Sequence, residues 1–217
     1  KAVHAGLRAG ISTTEVTDFI LAAHTALGLQ PLFAAVQFGE ATAYPHGVPH
    51  PQVLADGDMV LIDMGGTLQG YSSDITRTYV FGTPTPRQRQ LWELERQAQA
   101  AGFAAARIGA TCASVDAAAR KVFTDAGFGP GYQVPGLPHR TGHGLGIDIH
   151  EAPYIVGGNS TPLEAGMCFS IEPMLCVYGE CGVRLEDIVY MTQSGPRWFV
   201  PPAERLDDPF GSTEIGT

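Results

Sequence analysis

The chain has 217 residues, 44% of them hydrophobic and 16% charged, which suits one large domain, or two small ones, with a sizeable buried core. Its 22 acidic side chains against 13 basic ones give a formal net charge of −9, which repels phosphate backbones and anionic lipid, so nucleic acid is not an expected partner. No run of about eighteen apolar residues occurs and the opening has no basic stretch followed by an apolar one, so neither a membrane span nor an export signal is expected.

The first residues, KAVHAGLRAG, read as the end of a helix already under way, as though something preceded them. STTEVTDFILAAHTALG then sets Ser12 as an N-cap with Glu15 three residues on, a capping box. Val16, Phe19, Ile20, Ala23 and Leu27 follow at helical spacing, and Gly28 is the stop. The period changes in DMVLIDMGGTLQGYSSDITRTYVFG, where an apolar run, a turn region at Gly65-Gly66 and a β-branched return predict two antiparallel strands. A second capping box, Thr85 with Gln88 and Pro86 in the first turn, predicts a helix ended by Gly109. A third helix is predicted from Ser114 to Ala126, stopped by Gly127.

Residues 137–151, LPHRTGHGLGIDIHE, carry His139, His143 and His150. Gly142, Gly144 and Gly146 would each cost about 1 kcal/mol in a helix, so a loop or bent strand is expected. GMCFSIEPMLCVYGECGVRLEDIVYMT repeats the strand, glycine-rich turn, strand pattern. A helix followed by an acid-bearing hairpin thus occurs twice, at nearly equal offsets, which suggests an internal duplication. Cys112, Cys168, Cys176 and Cys181 form no CxxC pair and read as small hydrophobes in a reducing compartment, most simply the cytosol.

Four acids stand where a buried carboxylate is costly. Asp63 ends the apolar run Val60-Leu61-Ile62, and Glu172 ends Cys168-Phe169-Ser170-Ile171. An ionised carboxylate buried without a partner costs several kcal/mol. Asp74 is expected on the return strand opposite Asp63, and Glu186 opposite Glu172, within ~5 Å across the strands. Arg77 and Arg184 are the ordinary counter-charges for any one of them. Four facing carboxylates, however, need four positive charges, which two divalent cations supply with one histidine as a neutral ligand. Oxygen-dominated ligation with a single imidazole suits manganese, cobalt or zinc.

The segments AYPHGVPH, GDMVLIDMGGTLQGYSSDITRTYVFG, HRTGHGLGIDIHEAP, GMCFSIEP and GVRLEDIV together resemble the pita-bread metallopeptidases, the family of Xaa-Pro aminopeptidases, Xaa-Pro dipeptidases and methionine aminopeptidases. The resemblance implies an α+β fold, a curved antiparallel sheet covered by helices with an internal pseudo-twofold duplication. It implies five metal ligands, Asp63, Asp74, His143, Glu172 and Glu186, with Asp63 and Glu186 each touching two positions of the centre. It assigns His46 and His150 to the reacting carbonyl and His139 to the proline side of the substrate. Glu172, a ligand at the end of a rigid strand fixed by Pro173, is the expected acceptor of the attacking water's proton, and Arg184 is expected to orient Asp63 or a neighbouring ligand. Tyr44, Tyr71 and Tyr79 are further candidates to reach the cleft.

His139 and Arg184 resemble the proline-specific branch. The expected activity is therefore hydrolysis of Xaa-Pro bonds in dipeptides or at peptide N-termini. A non-catalytic peptide- or protein-binding module, a methionine aminopeptidase and a carboxypeptidase variant are the alternatives. The expected organisation is one catalytic domain over residues 1–217, without the family's N-terminal domain, and a homodimer is left open.

Overall fold

In a computed structural model, which describes residues 1–210, one short turn of helix, α1 (Ala2–Ala5), leads into α2 (Thr13–Ala26). The capping box forms: Ser12 Oγ accepts from the Glu15 amide at 3.2 Å, and the Ser12 amide donates to Glu15 Oε2 at 2.8 Å. Val16 and Ile20 are buried, but Phe19 and Leu27 stay exposed, so the buried stripe is narrower than the spacing suggests. The second box, Thr85 with Gln88, starts α3 (Pro86–Ala105), which ends at Ala106, short of Gly109. Helix α4 (Cys112–Asp125) begins ahead of Ser114 because Thr111 takes the cap. Thr111 Oγ1 accepts from the Ser114 amide at 3.2 Å, and Ser114 Oγ donates back to the Thr111 carbonyl at 2.7 Å.

The strands β1 (Gln30–Phe38), β2 (Met59–Leu68) and β3 (Tyr71–Val80) form an antiparallel sheet in that order. Gly65-Gly66 is not the turn. Both lie inside β2, and the chain reverses at Gln69 and Gly70, which take φ of 53° and 85°. A Cβ on Gly65 would collide with the Phe33 ring, so this glycine serves close approach of β1 rather than reversal.

Five further strands, β4 (Gly142–Gly144), β5 (Glu151–Ile155), β6 (Cys168–Ile171), β9 (Asp187–Thr192) and β10 (Gly195–Trp198), pair in the order β10-β9-β6-β4-β5. Between β6 and β9 the chain makes a separate ribbon, β7 (Met174–Val177) with β8 (Cys181–Arg184), so the second predicted hairpin is broken into two ladders. The neighbour relation β1-β2-β3 recurs as β4-β6-β9, the duplication suggested by the repeated pattern.

The two sheets meet where the Glu186 amide donates to the Thr76 carbonyl at 3.1 Å. Arg77 pins this seam, donating to the Thr76 and Glu186 carbonyls at 3.0 and 2.9 Å and pairing with Asp187 at 2.6 Å. From α3, Gln99 donates to the Leu185 carbonyl at 3.1 Å and to Asp187 at 3.0 Å. One apolar core joins α2 and α3 to the first sheet and the β7–β8 ribbon, and a second joins α4 to Ile155, Phe169, Ile171 and Val189. All four cysteines are free thiols, three of them buried. Among the described residues no helix is long and apolar enough to cross a membrane.

Candidate metal centre

The strand registers bring the four acids to one place. The β6–β9 ladder ends at Ile171 with Asp187, so Glu172 and Glu186 lie just past its last pair, where Glu186 bridges to Thr76 and the Glu172 amide donates to the Thr141 carbonyl. Asp63 and Asp74 are not opposite each other. Asp63 faces Thr76 and Asp74 faces Gly65, which makes the acids diagonal neighbours on one face, because the chain reverses at 69–70 rather than at 65–66. His143 comes from β4 between β6 and β5, which sit so close that a Cβ on Gly142 would strike the Ser170 carbonyl of β6 and one on Gly144 the Ala152 carbonyl of β5. The glycines around His143 are there for strand approach.

Three overlapping groups have ligand atoms within 4.8 Å of one another: Asp74, His143 and His150; His143, Glu172 and Glu186; Asp63, Asp74 and Glu186. His143 Nδ1 lies 3.0 Å from the Gly144 carbonyl, a contact that needs the proton on Nδ1 and turns the Nε2 lone pair inward. Nε2 then faces Glu172 Oε1 at 3.1 Å, Asp74 Oδ2 at 3.7 Å and Glu186 Oε1 at 3.8 Å. Only a proton or a cation between such groups makes this convergence favourable.

Arg184 does act as an ordinary counter-charge for one acid, with Nη2 2.6 Å from Asp63 Oδ2, whereas Arg77 goes to Asp187. One guanidinium is too few. Buried oxygens of three acids, Asp63 Oδ1, Asp74 Oδ1 and Glu186 Oε1, have no hydrogen-bond partner among the described residues. Burial, reinforced by the charges of Asp63 and Glu172, pushes Asp74 up to about 9. Burial and the neighbouring carboxylates raise Glu186 well above its ordinary value, and burial raises Asp63 in spite of Arg184. For Glu172, burial pushes upward, but the contact with a protonated His143 and the charges that His139, His143 and Arg184 carry in acid outweigh it and pull the carboxyl down to about 2. The residues fit a cation: orphaned anionic oxygens and one aimed imidazole are the donor set that a hard or borderline divalent ion takes.

Above this cluster lies a cavity of about 510 Å³, lined also by Phe33, His46, His139, Arg140, Ile149 and His150. The His150 ring meets the His143 ring edge-on at 4.3 Å, and burial, then the charges of His143 and Arg140, lowers its pKa. His139 Nδ1 is 2.6 Å from the Arg140 carbonyl, its Nε2 is buried without a partner, and burial lowers its pKa to about 4, so it is neutral near pH 7. Tyr44, Tyr71 and Tyr79 do not line the cavity: Tyr44 stacks on Tyr178, Tyr71 is exposed, and Tyr79 is buried against His4.

Two residues escaped the sequence reading. Thr76 Oγ1 donates to Glu186 Oε2 at 2.7 Å and accepts from Arg184 Nε at 3.2 Å. Ser170 Oγ accepts from the His143 amide at 3.0 Å and donates to Glu172 Oε1 at 3.2 Å. Each hydroxyl stands two positions from an acid along a strand, hence on the same face, and that spacing was the available signal. Arg184 Nη1 also reaches the Pro45 carbonyl at 3.2 Å, tying the His46 segment to Asp63.

The sequence model of metallopeptidase family M24 matches residues 1–193. The chain belongs to this family. Among M24 relatives, an Xaa-Pro dipeptidase of Lactobacillus delbrueckii subsp. lactis is 42% identical over 171 residues, 79% of this chain and 45% of the relative. A probable dipeptidase PepE of Mycobacterium tuberculosis is 46% identical over 164 residues, 75% of this chain and 42% of the relative. The crystal structure of dipeptidase PepE from Mycobacterium ulcerans superposes with a TM-score of 0.86 at 43% identity, covering 94% of this chain and 56% of that one. Prolidase from Pyrococcus furiosus superposes with a TM-score of 0.84 at 35% identity, covering 91% and 58%. The chain therefore spans about half the length of the curated relatives it matches. Its α+β architecture is the M24 pita-bread fold, and membership of a metallopeptidase family implies divalent metal at the acid and histidine cluster.

Proposed function

We propose that Asp63, Asp74, His143, Glu172 and Glu186 hold two divalent cations, manganese first and cobalt or zinc after it, in a peptidase that hydrolyses Xaa-Pro bonds of dipeptides or peptide N-termini. The observation that carries this reading is the set of orphaned oxygens, Asp63 Oδ1, Asp74 Oδ1 and Glu186 Oε1, buried beside an inward-turned His143 Nε2. The dipeptidase names borne by relatives and structural neighbours support the substrate class.

Cations bound there would polarise the scissile carbonyl and acidify a water. The rest is done by side chains of this chain. Glu172, held at the end of β6 by Ser170 Oγ with Oε1 3.1 Å from His143 Nε2, accepts the proton of the attacking water. His150 and His46, on the cavity wall, donate to the oxygen on which negative charge develops, a donation worth about a hundredfold or more in rate. His139, neutral and with a free Nε2, faces the proline side. Arg184 and Thr76 hold Asp63 and Glu186 in place. Four free thiols fit a reducing compartment, and we place the chain in the cytosol.

The test is metal content after purification, with turnover of Xaa-Pro dipeptides, longer Xaa-Pro peptides and Met-initiated peptides in added manganese. Up to two ions per chain and chelator-sensitive cleavage of the Xaa-Pro substrates are expected. A chain that binds no transition metal and cleaves none of the panel overturns the reading in favour of a binding module.

A further inference from the structure

Among the described residues strand β1 has one hydrogen-bonded neighbour, β2, and its other edge pairs with no strand. The Phe38 amide turns away from β2 and donates to Gln52 Oε1 at 3.4 Å. The bulge in this pair lies between Pro31 and Phe33, so the alternation runs unbroken from Phe38 back to Ala34. The N–H and C=O groups of Ala34 and Val36 therefore point the same way as the Phe38 amide, out of the sheet edge. No backbone or side-chain partner for these groups exists among the described residues beyond the ladder itself.

That edge opens into a groove of about 370 Å³. Its far wall is the start of α2, at Thr13, Thr14 and Thr17, and the segment 46–52. The wall is fixed, since the Thr13 amide donates to the Gln52 carbonyl at 3.0 Å and the Gln52 amide to Thr13 Oγ1 at 3.2 Å. His46 and Ala35 line both this groove and the cavity over the metal cluster, so the two spaces adjoin. Among the described residues no Asp, Glu, Lys or Arg lines the groove, whose polar groups are the strand edge and the side chains of Gln37, His46, His50, Gln52 and three threonines.

We propose that this groove is an extended subsite in which the backbone of a peptide longer than a dipeptide adds to the free edge of β1 as an extra strand. The idea rests on the peptidase reading and goes beyond it, to substrate length. A strand adding to Ala34 and Val36 pairs through every second residue and tolerates varied side chains, because the bonds are to main chain.

The experiment compares Ala-Pro with the same dipeptide extended by three alanines, using the manganese-loaded chain, and repeats the longer peptide with each tail amide N-methylated in turn. A higher kcat/KM for the extended peptide is expected, with a loss of about five- to tenfold when a methyl falls on alternate tail positions and little effect between them. Hydrogen exchange at the Ala34 and Val36 amides should slow when the product tetrapeptide, proline followed by three alanines, is added. Equal turnover of the two lengths, uniform effects of methylation and unprotected amides overturn the subsite while leaving the peptidase reading intact. If Ala-Pro itself is not cleaved, the peptidase reading fails separately, and amide protection by the tetrapeptide still decides for or against the groove.

Discussion

Thr76→Val keeps the shape of a fully buried side chain and removes only its hydroxyl. Two bonds go with it, the 2.7 Å donation to Glu186 Oε2 and the 3.2 Å acceptance from Arg184 Nε. The bond to Glu186 is worth about 1 kcal/mol, and the one from the Arg184 guanidinium about 1.5–3 kcal/mol. Both partners stay buried at 1% and 4% exposure, so water does not replace the hydroxyl and most of the loss is felt. We expect Thr76→Val to cost about 3 kcal/mol in urea denaturation of the cation-free chain, and metal affinity to weaken about 10- to 100-fold in calorimetric titration as Glu186 loses its orientation. Thr76→Ser, which keeps the hydroxyl, should recover most of both. A Thr76→Val chain within about 0.5 kcal/mol of the parent, with unchanged affinity, would refute the role given to this hydroxyl.

Other expectations follow from the same geometry. Glu172→Gln and His150→Ala should keep the folded circular dichroism spectrum yet lose about a hundredfold or more in turnover of an Xaa-Pro peptide, and near-parental rates in metal-loaded variants would remove both role assignments. Gly142→Ala puts a methyl into the Ser170 carbonyl and should cost about 1–3 kcal/mol or more by urea midpoint, an unchanged midpoint showing that β4 and β6 can separate freely. Asp74 titrates at about 9 in the fold against an ordinary 3.8, so between those values the folded form holds a proton that the unfolded chain releases. Stability of the cation-free chain should then fall as pH rises from about 4 to about 9, and thermal melts in chelator that stay level or climb would contradict this.

Helix starts were legible because capping is local: Ser12 with Glu15 and Thr85 with Gln88 act within one turn. Where two hydroxyls compete, as Thr111 and Ser114 do, local grammar is ambiguous, and burial of Cys112 and Val115 favours the earlier start. The acids and His143 stood out because each interrupts an apolar or glycine-rich run. Their relative placement was harder to read. Gly65-Gly66 looks like a turn from sequence, and only the Phe33 ring across β1 shows that the pair serves packing. Breaking of the second hairpin at Glu172-Pro173 was likewise hidden, since whether β6 and β7 join one ladder depends on partners far along the chain. For Thr76 and Ser170 the two-residue spacing from Asp74 and Glu172 was the one signal, and it does not say which acid each hydroxyl reaches: Thr76 bonds Glu186 from the other sheet.

The Thr76–Glu186 junction has a consequence for how such a chain would behave in a test tube. Cations held, as proposed, by Asp63 and Asp74 from one half and by His143, Glu172 and Glu186 from the other would rivet the two leaves together. Filling the cluster and holding the leaves together are then one thermodynamic event, so the melting temperature should track free ion concentration, gaining about 2.7 kcal/mol at a hundredfold excess over the dissociation constant.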